Sequence, residues 1–473
     1  MFFFGVGFDA SNKGNQKCFP IAVRYFDEKQ GVCNRIIDFY EDADESAIKM
    51  SQEISNRISE HGLMLSQISS YTADNTNSNF GKKNSVYVHL RAENPTLVKS
   101  NCCAHVLHNS CKSGMNSMSI DIEMLIIKVF NYFSNSAKRV SHLKEFFHFV
   151  DIEYNNLLRH VPTRWLSIKP AIERLLRNLP AVVSYFSSVD DCPAFIKKYL
   201  LGSSESDKQT LLVELYLHFS LHLADVFHKA VLSLEKNDLT VCEVYTVMKN
   251  LKMQLEQRMG ESFFGYKVTQ TLNKLNDLFT GEGKVCENDF KHVYEVCVNY
   301  LCKWFDFSDS NVFALMNCIT LENSPQFSKI LKLVETLGLE EKLNMDDMCS
   351  EVVEIVNLFS GEGGEKLKVT LQSKTIPERW VYITGLIGPE KLKNILMVLK
   401  FVLSIFPSNA YTERVFSIMA IKWRDDRNRS SVDLIKNELF VYFNYDENCK
   451  EFHKKVLLNN KLLQMASSSD KYL

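Results

Sequence analysis

Net charge is the first thing this chain lacks: 55 Lys and Arg against 57 Asp and Glu leave a formal charge of −2. No global basic field announces a nucleic-acid partner, although a local basic strip remains compatible with this balance. Low-complexity segments and fixed-period repeats are missing too. The greasy start Met1-Phe2-Phe3-Phe4 has no basic flank and ends at Asp9, so it reads as neither signal peptide nor membrane anchor. Without a secretory signal, 13 scattered cysteines, an odd number, are expected as reduced thiols. No C-x-x-C with a partnered H-x-H occurs, and no structural zinc is expected. These absences point to a soluble intracellular protein without a membrane partner. What is present is ordinary: 473 residues, 45% hydrophobic and 24% charged, enough for two or three domains.

Residues 2–10 form an apolar run ending in an acid, the pattern of a buried central strand. Residues 17–26 alternate, with Phe19, Ile21, Val23 and Tyr25 on one face, and Pro20 predicts an edge position. A third strand is expected over 32–40. Acids at 41, 42, 44 and 45 then precede Ala47, Met50, Ile54 and Ile58 at helical spacing, with Gly62 as the stop. A strand over 67–73 ends at Asp74, and a helix over about 80–94 and a strand over 97–103 follow. The expected order is βββαβαβ, with acids closing the first and fourth strands. From about 112 the spacing is helical, over 122–133, 172–185, 211–232, 244–259, 290–305, 327–337 and 349–359. The glycine-rich stretches 281–283 and 361–364 are expected as exposed loops.

Three acids stand out: Asp9, Asp74 and Glu413. Three carboxylates on an α/β core suit two-metal phosphoryl transfer, in which divalent ions about 3.5–4 Å apart serve the attacking and leaving oxygens. Any three acids among 57 could be picked to fit. Strand-end placement of two, and the Thr412-Glu413-Arg414 context of the third, argue against chance. Cys102, His105, His108 and Cys111 are spaced like zinc ligands, yet on a helix each step of three turns about 300°. Such side chains spiral rather than converge, and structural zinc sites join two separated pairs. Trp165 beside Arg164 offers base stacking and phosphate pairing, or ordinary core packing. Lys422, Arg424, Arg427 and Arg429 fit a phosphate track or, broken by Asp425 and Asp426, a solvated surface. Apolar residues around Glu413, among them Val415, Phe416, Leu434, Leu439, Phe440 and Phe443, suit either self-association or burial within one chain.

In this order the motifs resemble those of hAT-superfamily transposases. Pro407, Thr412-Glu413-Arg414-Val415-Phe416-Ser417 and Arg427-Asn428-Arg429 resemble the family's C-terminal signature. Asp74-Asn75 resembles its second-acid motif, Cys102-x-x-His105-x-Leu107 its C-x-x-H-x-L element, and Thr163-Arg164-Trp165-Leu166-Ser167 its T-R-W-x-S element. The likeness covers 1–111, 160–176 and 400–445. It implies an α+β fold, an RNase H-like mixed sheet interrupted by a large all-helical insertion and closed by a C-terminal helical dimerisation segment. On that pattern 1–111 is the first part of the core and 112–395 the insertion. Residues 396–445 are the last core helix with the dimerisation segment, and 446–473 a tail.

The resemblance further implies that Asp9, Asp74 and Glu413 are catalytic and hold Mg²⁺ or Mn²⁺, with Cys102 and His105 beside them. Arg164, Trp165, Lys422, Arg424, Arg427 and Arg429 would meet DNA. Val415, Phe416, Leu434, Leu439, Phe440 and Phe443 would form a homodimer or higher homo-oligomer. The implied protein is transposase-derived and cleaves and transfers DNA strands. Its alternative is a domesticated nuclear protein, without turnover, acting in dimerisation, DNA binding or scaffolding; the cytoplasm is the other location. Two departures stand: the chain opens on strand one, where the family carries a BED-type zinc finger, and Thr412 replaces the commoner Ser. A 3′–5′ exonuclease on a similar core wants D-x-E on its first strand. This chain has Asp9-Ala10-Ser11, which rejects that assignment.

Overall fold

The computed structural model describes residues 2–161, 167–202, 206–427 and 429–468. They fall into two units, Met1–Ser100 with Lys342–Glu351 and Pro377–Leu473, and Asn101–Glu341 with Val352–Ile376. The chain thus leaves the first unit at Ser100, earlier than the expected 111, and returns for good at Pro377, earlier than 396.

The first unit is a mixed α/β body around one six-stranded sheet. Its strands are β1 (Phe4–Phe8), β2 (Ser11–Lys13), β3 (Gln16–Asp27), β4 (Gly31–Glu41), β5 (Ile68–Ala73) and β6 (Val98–Asn101). In space they run β4, β3, β1, β5, β6, with β2 continuing β1 along β3. β3 is antiparallel to β1, β2 and β4, whereas β1 and β5 are parallel. The register Phe8 to Ile21 resumes as Ser11 to Cys18, so β1 and β2 are one strand broken at Asp9 and Ala10. Pro20 stands opposite that break. The edge position expected for it is therefore wrong: β3 is interior, and a residue without an N–H is accommodated where the ladder is already interrupted.

Helices α1 (Ala47–Glu60), α2 (Asn77–Phe80) and α3 (Val86–Glu93) belong to the first segment. The single helix expected over 80–94 begins only at Val86, because Ser85 Oγ accepts the Val88 N–H at 3.3 Å and fixes the start there. Likewise the strand expected to reach 103 stops at Asn101, since Cys102 is the N-cap of the next helix. Alternation along β1 sends Phe4, Val6 and Phe8 to one face. There they join Phe19 and Ile21 with Met50, Ile54 and Ile58 of α1 and Val86 and Leu90 of α3. Each large side chain so buried contributes about 1.5–3 kcal/mol.

The opposite face of β1 is bare glycine. A Cβ on Gly5 would run into the Ser404 carbonyl oxygen, and one on Gly7 would sit 3.2 Å from the Phe406 ring. That face takes the returning chain, α4 (Lys393–Val402), α5 (Ala410–Lys422) and α6 (Val432–Asn444). Val415 and Met419 of α5, Trp423 just after it, and Ile435 and Leu439 of α6 pack there with Cys18, Ile36 and Phe39. Asp38 of β4 is buried and ion-paired to Arg57 of α1 and Lys436 of α6. Burial raises its pKa, but Lys436 and Arg57 outweigh this and hold the carboxyl below its usual range. Asn444 lies along β4, its Oδ1 accepting the Ile36 N–H at 2.8 Å and its Nδ2 donating to the Ile36 carbonyl at 2.7 Å. Two short helices, α7 (Cys449–Leu457) and α8 (Asn460–Ser467), follow.

The second unit is helical, and its described residues include the long helices Cys103–Asn116, Ile122–Ser134, Ile168–Ser188, Ser206–Leu234, Val241–Gly260 and Glu282–Trp304. Phe219 and Phe290 stack at 4.0 Å between ring centres at the heart of this unit. The stretch Lys208–Leu234 is long and apolar enough to cross a membrane by length and composition. Its Leu215, Leu217, Phe219, Leu223 and Phe227 are buried inside the unit, which accounts for the apolarity. The two glycine-rich stretches are not loops. Gly281 (φ 88°) and Gly361 (φ 66°) supply left-handed turns at the starts of helices Glu282–Trp304 and Gly361–Gln372.

A candidate carboxylate site at the ends of two parallel strands

Asp9 follows the last residue of β1 and Asp74 the last residue of β5. The parallel register pairs Gly5 with Ser70 and Gly7 with Thr72, and two residues on it brings Asp9 level with Asp74. Adjacent strands lie about 4.8 Å apart, so the two carboxylates start from neighbouring backbone positions. Because side chains alternate, both continue the row of Gly5, Gly7, Ser70 and Thr72, the face covered by Ser404 and Phe406. The apolar row Phe4, Val6, Phe8, Tyr71 and Ala73 points the other way.

Asp74 is oriented by its own loop. Asn79 Nδ2 donates to Asp74 Oδ1, and Thr76 Oγ1 donates to the same oxygen at 3.2 Å. Asn79 is itself buried and fixed by Tyr71, whose hydroxyl donates to Asn79 Oδ1 at 2.7 Å. Burial, then the charges of Asp74, Tyr40 and Asp9, push the Tyr71 pKa far above its ordinary value, so the hydroxyl stays a donor. Asp9 Oδ1 accepts the Ala10 N–H at 2.8 Å. Tyr71, Thr76 and Asn79 are not legible in the sequence as parts of the site. The signal for them is the run of polar residues after Asp74.

Glu413 is exposed on the first turn of α5, a helix that packs on β1 and β3. Its turn is pinned by buried neighbours: Thr412 Oγ1 donates to the Asn409 carbonyl at 2.7 Å and also bonds the Asn409 side chain. Of the basic run, Arg427 is committed within the unit, donating to Glu438 Oε1 at 2.6 Å and Oε2 at 3.1 Å. Arg424 pairs with Asp426 at 3.2 Å on the surface, Lys422 is half-buried, and Arg429 is exposed. Val415 and Leu439 are fully buried, Phe416, Phe440 and Phe443 half-buried, and Leu434 exposed.

Cys102 and His105 lie in the second unit, Cys102 as the N-cap of the helix that carries His105, His108 and Cys111. Cys102 and Cys111 are buried, and burial, then His105 and Lys112, bring the His108 pKa down to about 4. Arg164 and Trp165 lie outside the described residues. On either side of that stretch, Ser167 Oγ accepts the Val161 N–H at 3.0 Å, and His160 bridges Ser167 at 2.9 Å and Glu123 at 3.1 Å.

No protein-family model matches the chain, and no curated protein sequence matches it.

Proposed function

We propose that the first unit is an RNase H-like core of the hAT transposase type, a nuclear DNA-cleaving and strand-transferring centre built on Asp9, Asp74 and Glu413. The level placement of Asp9 and Asp74 at the ends of neighbouring parallel strands, on one face of the sheet, carries this assignment. The donors are carboxylate oxygens, which suit hard divalent cations. Asp9, Asp74 and Glu413 would hold Mg²⁺ or Mn²⁺, which when bound would supply Lewis-acid stabilisation of the phosphate and a more acidic water. Asn79 and Thr76 keep Asp74 in one orientation, and the Ala10 N–H does the same for Asp9. Of the basic run, Lys422 and Arg429 are left to neutralise DNA phosphates, and Arg424 would do so by exchanging its surface partner Asp426. Cys102, His105, Arg164 and Trp165 enter through the family resemblance. For a homo-oligomer, the surface left by internal packing is Leu434, Val441 and Tyr442 with the partly covered Phe440 and Phe443.

Nicking of supercoiled plasmid by the purified chain tests this directly. Wild type with Mg²⁺ or Mn²⁺ should nick, and Asp9→Asn, Asp74→Asn and Glu413→Gln should each lose about a hundredfold or more. A folded chain that binds DNA yet never nicks it with either metal would instead be a non-enzymatic descendant acting in binding or scaffolding.

A further inference from the structure

A cleft of about 480 Å³ opens at the start of β4, away from the carboxylates. Residues 30–35 form one wall, Tyr411 and Arg414 of α5 the floor, and Tyr442 and Phe443 of α6 the other wall, with Asp446 at the rim. On α5, Tyr411 and Arg414 share a face, whereas Glu413 lies about 200° round the helix from Tyr411. The cleft is therefore separate from the candidate nuclease site.

Its charges do not cancel. Arg35 is ion-paired with Asp446 and donates to the Asn34 carbonyl at 2.9 Å. Arg414 has no carboxylate partner among the described residues. Two further polar atoms are buried without a hydrogen-bond partner there: the Tyr411 hydroxyl and Asn34 Oδ1. Burial raises the Tyr411 pKa against the pull of Arg35 and Arg414, which keeps the hydroxyl protonated and able to donate. Aromatic rings flank these groups, Tyr411 to Phe443 at 5.5 Å and Tyr442 to Phe443 at 4.9 Å between centres. One unbalanced guanidinium, one idle donor, one idle acceptor and flat apolar walls describe a receptor for a negatively charged aromatic molecule.

We propose that this cleft binds a small organic anion, a carboxylate or phosphate monoester carried on a flat apolar body. Arg414 pairs the charge, the Tyr411 hydroxyl donates to it, and Asn34 accepts from a polar substituent on the ring. Calorimetric titration of the full chain with benzoate, phenyl phosphate, inorganic phosphate and phenol tests this. Benzoate or phenyl phosphate should bind, the tighter one identifying the headgroup, with inorganic phosphate weaker and neutral phenol giving no saturable heat. Arg414→Gln should weaken the aromatic anion about tenfold or more, and Arg414→Lys should restore part of the loss. Tyr411→Phe, which keeps the ring, should cost about fivefold. If Arg414→Gln proves less stable by thermal melting, Tyr411→Phe carries the comparison alone. Failure of both aromatic anions to bind at millimolar concentration overturns the proposal. So does equal binding by wild type and Arg414→Gln, or inorganic phosphate binding as tightly as phenyl phosphate.

Discussion

Tyr71, Asn79 and Asp74 form a chain of hydrogen bonds that begins in the core and ends on a carboxylate. Such outer partners set ligand orientation, and their loss typically costs ten- to a hundredfold in metal affinity or activity. Asn79→Ala should therefore lower metal-dependent nicking by about that factor. Raising Mn²⁺ should recover part of the rate if orientation is what was lost; a rate equal to wild type would detach Asn79 from the site. Gly5 makes a second prediction at this scale. Because a methyl there meets the Ser404 carbonyl oxygen, Gly5→Ala should destabilise the chain by about 1–3 kcal/mol, read from urea denaturation. The same substitution at Gly260, where a Cβ meets nothing within 4 Å, is the control and should cost nothing.

Among the elements, β4 shows how a sheet edge is closed by one side chain. Asn444 imitates a neighbouring strand, giving Ile36 both a donor and an acceptor. Asn444→Ala should cost about 1–3 kcal/mol, and the Ile36 amide should exchange with solvent faster; unchanged exchange would mean that α6 shields the edge by itself. The helices were the most legible elements, because long amphipathic spacing survives any tertiary context; those over Ile122–Ser134 and Phe327–Leu337 fall close to their expected bounds. Strand order and the two strand-end acids were legible from the apolar run into Asp9 and the strand into Asp74. Three things were not. Pro20 reads as an edge residue because nothing local reveals a broken ladder opposite it. The alternation Phe4-Gly5-Val6-Gly7-Phe8 already signals a close backbone approach on one face, but an apolar run looks buried on both. Glycines at 281 and 361 suggest loops because the same left-handed turn serves a loop or a helix start. For the site, residue type and strand position exposed Asp9 and Asp74, whereas Tyr71 and Asn79 act through distances that no spacing encodes.

For the whole molecule, the two units respond to acid through different groups. Burial and neighbouring cations bring His108 and His222 of the second unit down to about 4. The fold thus favours their neutral forms. Their contribution is complete above the ordinary histidine value of about 6.5 and is lost as pH falls from there toward about 4. Asp38 of the first unit has a depressed carboxyl, so its contribution is present above the usual carboxylate value and fades only below it. Unfolding free energies from urea titrations followed by far-ultraviolet circular dichroism should fall between pH 7 and pH 5, by about 1–2 kcal/mol for each histidine. A chain carrying both His108→Gln and His222→Gln should show a flatter profile; an unchanged slope would assign the acid sensitivity elsewhere. The interrupted layout of the first unit also sets a timetable for synthesis. Residues 4–97 can close the face built on α1 and α3 as soon as they leave the ribosome, since every member of that core is already made. The other face waits for α5 and α6, which follow the whole second unit. At about 5–20 residues per second, that wait is on the order of half a minute. During it a nascent chain shows Ile36, Phe39 and an unguarded β4 edge to solvent, and a chaperone that recognises bare sheet would find this protein half-translated.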